Sequence, residues 1–260
     1  MRALIGIISA FVSVVSVAEP PRTDVFASPP KEAAFRSQAR NMLESLGMRS
    51  CATEGLRAPE GFRRADLLRP ELKAVAAFGE SIKGTPAQFH FEAAKADADL
   101  EIAKGGHCWA EYDDPAIANR HLKMTQDEVR ASLARMRDLS ASLSSPLPTS
   151  ISATDGAEFR SRVRSLIETS RPRCRWTVWA DNAKISAPAR AEVSQLRHRL
   201  NGSPYAAHFD MAEADVAFEY SVVQTECDDP GRQAPSHLSA KLLASVRKQV
   251  AQIERRYSMR

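Results

Sequence analysis

Two segments of this 260-residue chain are written twice. Phe35-Arg-Ser-Gln-Ala-Arg-Asn-Met-Leu-Glu44 returns as Phe159-Arg-Ser-Arg-Val-Arg-Ser-Leu-Ile-Glu168. The 18-residue stretch Gly84–Glu101 returns as Gly202–Glu219, and Gly, Pro, His, Phe, Asp and Glu stand at matching places in both. Each copy also carries one cysteine after its first helix and one before an Asp-Asp-Pro. A chain built this way has to fold as two related halves, so any site worth weighing is expected in both.

The apolar residues recur at helical spacing. Phe35, Ala39, Met42, Leu43 and Leu46 share one face, as do Phe159, Val163, Leu166 and Ile167. A second helix is expected after Pro70 and after Pro188, each placed as a first-turn proline, with Gly84 and Gly202 closing it. Thr85-Pro86 and Ser203-Pro204 open a third, an N-cap followed by proline. Its end in the second copy, Val216 to Val223, leans toward strand by propensity. The matching stretch Ala98–Lys104 favours helix, and we let that copy decide. A fourth helix is expected over 125–143, from the capping-box pattern Thr125-Gln-Asp-Glu128, and over 236–257. The fold class is therefore all-α: a tandem duplication of an antiparallel unit of about four helices, bridged by disulfides.

The organisation along the chain follows. Residues 1–18 read as an export signal: Arg2, an apolar run Ala3–Val15, and the small-x-small site Ser16-Val17-Ala18. The run is shorter than the roughly 20 apolar residues of a membrane span. Residues 19–31 form a flexible lead-in, 32–143 the first repeat, 144–156 a linker rich in Ser, Pro and Thr, and 157–260 the second repeat. The localisation implied is periplasmic or secreted. The formal net charge is only +4, and basic and acidic residues alternate along the helices, so no nucleic-acid partner is expected.

Four cysteines suit an oxidising compartment and allow three pairings. Pairing within copies, Cys51 with Cys108 and Cys174 with Cys227, lets each half close on itself. Each such bridge, closing a loop of roughly 55 residues, would contribute ~4 kcal/mol by the chain-entropy model. Pairing equivalent cysteines across copies would force the halves to interlock, and ranks second. Trp109 and Tyr112, and Trp176 and Trp179, are expected to pack over the bridges. Asp113-Asp114-Pro115 and Asp228-Asp229-Pro230 read as turn starters.

One polar constellation survives the repeat. At about 100° per residue, His90, Asp97 and Glu101 line up on one stripe of the third helix, and the second copy repeats them as His208, Asp215 and Glu219. Apolar positions flank the stripe, which places it in a groove or between helices. Histidine with two carboxylates is a reasonable ligand set for a divalent transition metal or a cationic ligand. Positions 90 and 101 are, however, about 16 Å apart along a helix, too far for one ion. The alternative is structural: carboxylates paired with arginines of neighbouring helices, such as Arg36 and Arg40, which recur as Arg160 and Arg164. We rank that first, because polar groups held between helices are usually satisfied by partners.

No nucleophile elbow, phosphate loop, dinucleotide fingerprint or zinc signature is present. The function expected is a non-enzymatic exported binding protein of the cell envelope, with an envelope component or another protein as partner and no cofactor. A divalent-metal or cationic-ligand protein using the two stripes is the alternative. An enzyme would need His90 beside a carboxylate that no arginine holds.

Overall fold

The computed structural model describes residues 31–47, 49–51, 67–104, 108–110, 115–144, 150–171, 182–222 and 237–257. Their regular elements are helices and two three-residue strands, joined by turns. The first half carries α1 (Lys31–Gly47), α2 (Arg69–Ser81), α3 (Pro86–Ala103) and α4 (Pro115–Ser140). The second carries α5 (Ala153–Ser170), α6 (Asn182–Leu200), α7 (Ala206–Val222) and α8 (Leu238–Tyr257). Strands β1 (Arg49–Cys51) and β2 (Cys108–Ala110) pair in parallel, with Cys51 opposite Ala110 and Cys108 opposite Arg49. The side chains of all four cysteines, and with them the bridges and the tryptophans beside them, lie outside the described residues. So do the export signal, residues 19–30 of the lead-in and Asp228-Asp229-Pro230; Lys31, read as the end of the lead-in, opens α1.

Each half has its own core. Phe35, Ala39, Met42, Val75, Phe78, Phe91, Val129, Leu133 and Met136 close the first; Phe159, Val163, Leu166, Val193, Leu196, Phe209, Val216, Val246 and Val250 close the second. These are the residues that the helical spacing puts inward, each worth about 1.5–3 kcal/mol on full burial for a large side chain. Aromatic packing anchors both: Phe78 meets Phe35 and Phe91 at centroid distances of 6.4 and 5.7 Å, and Phe159, Tyr205 and Tyr257 meet one another within 5.0 Å.

Helices α1, α3, α5 and α7 touch in a ring, α1 with α3, α3 with α5, α5 with α7 and α7 with α1. Their contacts run in step. Arg36 meets Asp215 and Arg40 meets Glu219, so α1 and α7 are parallel. Arg160 meets Asp97 and Ser161 meets Glu101, so α5 and α3 are parallel too. The other helices pack outside the ring. α4 lies antiparallel on α1 (Gln38 to Ser132, Glu32 to Ser144), and α8 antiparallel on α5 (Thr169 to Gln249, Glu158 to Arg256). The halves are thus joined through a shared central layer rather than set side by side as two separate units. Alanines 87, 93, 94 and 98 are buried on α3. Such small side chains let a helix be approached from several sides.

Several helix boundaries differ from the sequence expectation. Gly84 and Gly202 do take the left-handed conformation, at φ 73° and 80°, as residues ending a helix should. The third element is helical in both halves. Pro188, however, lies inside α6, which starts six residues earlier at Asn182. An interior proline leaves the carbonyl four residues back without its donor. Next to that carbonyl, the Ser239 hydroxyl of α8 donates to the Ile185 oxygen at 2.9 Å, an outside bond at the weakened turn. The fourth helix begins at Pro115, not at Thr125. No breaker separates Pro115 from Val129, so the Thr125 capping-box pattern is interior helix. Finally, α5 begins at Ala153, inside the stretch read as linker, because Ser152 accepts from the Asp155 amide at 3.1 Å as its N-cap. Among the described residues no helix is long and apolar enough to cross a membrane.

Candidate functional site: a reciprocal clasp between the halves

The two polar stripes meet at the centre of the ring, and the aspartate of each is held by an arginine of the opposite half. Arg36 on α1 donates through Nε and Nη2 to Asp215 Oδ1 on α7, at 2.9 and 2.6 Å. Its Nη1 lies 3.0 Å from His90 Nδ1 on α3. Arg160 on α5 does the same in mirror order: Nε reaches both oxygens of Asp97 on α3 at 3.1 Å, and Nη2 reaches Oδ1 at 2.7 Å. Its Nη1 lies 2.7 Å from His208 Nδ1 on α7. The remaining Nη2 protons point at helix carbonyls, Met211 from Arg36 and Ala93 from Arg160. All six side chains are buried. Each arginine therefore ties together a histidine of its own half and an aspartate of the other.

The chemistry fixes the histidine tautomers. A guanidinium has no acceptor, so the Nδ1 atoms of His90 and His208 must present lone pairs and the ring protons sit on Nε2. At His90 that Nε2–H donates to the Ser144 carbonyl at 3.1 Å. Burial, together with the Arg36 charge, pushes the His90 pKa down from the ordinary value. Burial and Arg160 push His208 down to about 4. Both rings are neutral at pH 7. Burial raises the Asp97 carboxyl pKa against the pull of Arg160.

The second rung, one turn further on, is asymmetric. Arg40 and Arg164 both donate to Glu219 Oε1, the latter at 2.5 Å. Arg164 also stands 3.6 Å from Asp215. Burial raises the Glu219 pKa, but the two guanidinium charges overcome it and the net shift is downward. By the repeat, Glu101 would occupy the same place opposite Arg164. Instead it faces Lys104 at 2.6 Å, and Ser161 bonds both. Beside this rung lies a cavity of about 350 Å³, lined by Arg40, Lys104 and Arg164 and by Glu44, Asp97, Glu101 and Glu168.

Of the six stripe residues the sequence singled out, the structure brings His90 near Asp215 through Arg36, and His208 near Asp97 through Arg160. Glu219 joins the second rung and Glu101 stays at its edge. The sequence pointed to Arg36, Arg40, Arg160 and Arg164 as partners. It did not show that the partner of each aspartate lies in the other copy, because repeat spacing is blind to whether equivalent faces meet within or between halves. It also missed Gly156. A Cβ there would sit 2.7 Å from His208 Cε1 and 3.1 Å from Arg160 Nη1, so only glycine lets the first turn of α5 approach the clasp.

Among the described residues no three His, Cys, Asp or Glu side chains are grouped to hold a metal ion. Comparison with protein-family models, with curated proteins and with solved structures found no match.

Proposed function

We propose that this chain is an exported, non-enzymatic binding protein of the cell envelope, and that its repeated His/Asp/Glu stripes are the fastening that holds a duplicated helical pair together. The single observation that supports this is the commitment of Asp97, Asp215 and Glu219 to guanidinium groups. A carboxylate held by an arginine fork is a poor general base and a poor metal ligand. His90 is held between Arg36 and the Ser144 carbonyl, and His208 is held against Arg160, rather than aimed at a cleft. What remains for function is the outer surface and the grooves that the shared layer creates.

On this reading residues 1–18 are removed on export, and Cys51–Cys108 and Cys174–Cys227 bridge each half in the oxidising compartment. The parallel backbone pairing of Arg49–Cys51 with Cys108–Ala110 brings the two segments together but sets Cys51 opposite Ala110 and Cys108 opposite Arg49, two residues out of register, so the first bridge requires the strands to shift. The test has three readouts. The N-terminus of the protein recovered from the envelope fraction should begin near Glu19. Non-reducing peptide mapping should return the two within-copy bridges. Co-purification after crosslinking in the native envelope should return a specific partner. A chain retained in the cytoplasm with free thiols would overturn the proposal.

A cationic ligand is the second reading, favoured by the acidic majority lining the cavity beside Glu219. There a cationic ligand would compete with the cations that already hold the acids, Lys104 at Glu101, Arg40 at Glu44 and Arg160 at Asp97. Isothermal titration with a diamine separates the two readings: saturable binding that Glu101→Gln abolishes would favour it.

A further inference from the structure

The two halves differ at one set of equivalent positions in a way that bears on ligand binding. Val129, Leu133 and Met136 of α4 occupy the core places that Val246, Val250 and Ile253 take on α8. This register puts Ser132 in correspondence with Gln249 and Arg135 with Gln252, while the repeat itself matches Gln38 with Arg162. In the first half this trio closes on itself. Gln38 donates to the Ser132 hydroxyl at 2.6 Å and accepts from Arg135 at 3.3 Å.

In the second half the same places hold Arg162, Gln249 and Gln252, and they do not close. Gln249 turns to Thr169 at 3.0 Å. Among the described residues neither Arg162 nor Gln252 has a hydrogen bond or ion pair. All three line a groove of about 680 Å³ between α3, α5 and α8. Lys104 and Arg256 stand on the same walls, against one acid, Glu158. Lys104 and Arg256 are each already held by a carboxylate, Glu101 and Glu158, so Arg162 is the cation with its charge unspent. Two glutamine amides add uncharged donors, and Leu100 and Ile253 give the floor an apolar part.

We infer that this groove binds a phosphate-bearing anion, with Arg162 as the principal donor, Gln249 and Gln252 as amide donors, and Lys104 and Arg256 completing the positive wall. A tetrahedral dianion takes donors from several directions at once, and the arginine fork matches two phosphate oxygens. The groove has room for a phosphate together with its organic substituent. The inference deepens the binding-protein reading and rests on it. The phosphate comes either from a soluble ester or from a lipid headgroup, and the experiment separates these sources.

The test titrates the mature chain with inorganic phosphate, glycerol 3-phosphate, and phosphatidylcholine vesicles with and without phosphatidylglycerol. Saturable binding that weakens with added salt is expected from one of the phosphate-bearing probes. Soluble ester alone identifies a free phosphate ligand, and phosphatidylglycerol vesicles alone identify a headgroup. Arg162→Gln should weaken binding about tenfold or more, the usual range for a lost charge-assisted hydrogen bond. The sharper variant combines Arg162→Gln, Gln249→Ser and Gln252→Arg. It copies the self-closing trio of the first half and keeps the net charge, so general electrostatic attraction survives while the donor set is spent internally. The variant should melt with the natural protein and lose the phosphate response. Absence of saturable binding up to about 10 mM, a weak limit for a specific site, overturns the inference, as does triple-variant binding equal to that of the natural chain. A partner recovered from the envelope alongside such a failure would leave the binding-protein reading standing and remove only the phosphate groove.

Discussion

Arg36 and Asp215 stand 179 residues apart in the chain and meet at 2.6 Å, both more than nine-tenths buried, across the seam between the two halves. Arg160 and Asp97 meet across the same seam at 2.7 Å. Desolvating an arginine and an aspartate is costly, and a buried pair returns that cost only with good geometry and saturated donors. Here each guanidinium spends its protons on aspartate, histidine and a helix carbonyl, so little of it is left unpaired.

Breaking one pair strands its partner. Arg36→Ala should destabilise the protein by about 3–5 kcal/mol, as removal of one member of a buried ion pair does. The combined change Arg36→Met with Asp215→Leu should recover most of that loss, because no buried charge is then left alone. Urea unfolding of Arg36→Met, Asp215→Leu and the double variant forms the cycle that checks this. Equal losses that simply add would show that the two side chains are independent.

The parts of this arrangement legible in the sequence were those set by local rules. Phe35/Ala39/Met42 and Phe159/Val163/Leu166 announced their helices by spacing, and Gly84 and Gly202 announced the turns before α3 and α7 by the need for positive φ. The stripe residues were legible because both copies kept them. Which arginine met which aspartate was not, since it depends on how two halves dock, and no local period encodes that. Pro188 misled because a proline favours a first turn by its own geometry, whereas here packing carries α6 through it. Thr125 misled because a capping pattern states a preference that an earlier start at Pro115 overrides.

A Cβ on Gly156 would press on His208 and Arg160 in the clasp. Gly156→Ala should cost about 1–3 kcal/mol, the range for forcing extra volume into a packed interior. This runs against the helix propensity gain of up to about 1 kcal/mol that alanine would bring at an open position. Thermal or chemical denaturation reads the sign directly. A stabilised variant would mean that His208 can move aside, and that the clasp is looser than its distances indicate.

Divalent cations should leave the melting temperature unchanged. A ligand that binds only the folded state raises stability with its concentration, but Asp97 and Asp215 cannot turn to an ion without abandoning Arg160 and Arg36. Melting scans with Mg²⁺, Ca²⁺, Mn²⁺ and Zn²⁺ check this, with Asp97→Asn and Asp215→Asn as controls. A concentration-dependent rise that these changes abolish would restore the metal reading of the stripe.

Acid should open the seam before it unfolds exposed helices. His208 has a folded pKa of about 4 against an ordinary 6.5, and His90 is lowered in the same direction. A depressed histidine pKa means that the unfolded state takes up protons first. Stability is therefore intact above pH 6.5, falls as pH drops from there toward 4, and stops falling on this account below it. An imidazolium placed 2.7 Å from the Arg160 guanidinium would face another cation and lose its acceptor nitrogen. The loss from His208 should be on the order of 2 kcal/mol once screening is allowed for. Asp97 works the other way: its carboxyl pKa is raised, so protonating it restores some stability as pH falls through its folded pKa, and the decline should flatten at the acid end. Urea midpoints between pH 7.5 and 4 measure the slope. His208→Gln keeps an acceptor for Arg160 without a titrating proton, and should lower stability at pH 7 while making the pH 6.5-to-4 slope shallower. If the natural protein and His208→Gln lose stability in parallel over that window, the acid sensitivity lies elsewhere, and the clasp histidines serve packing alone.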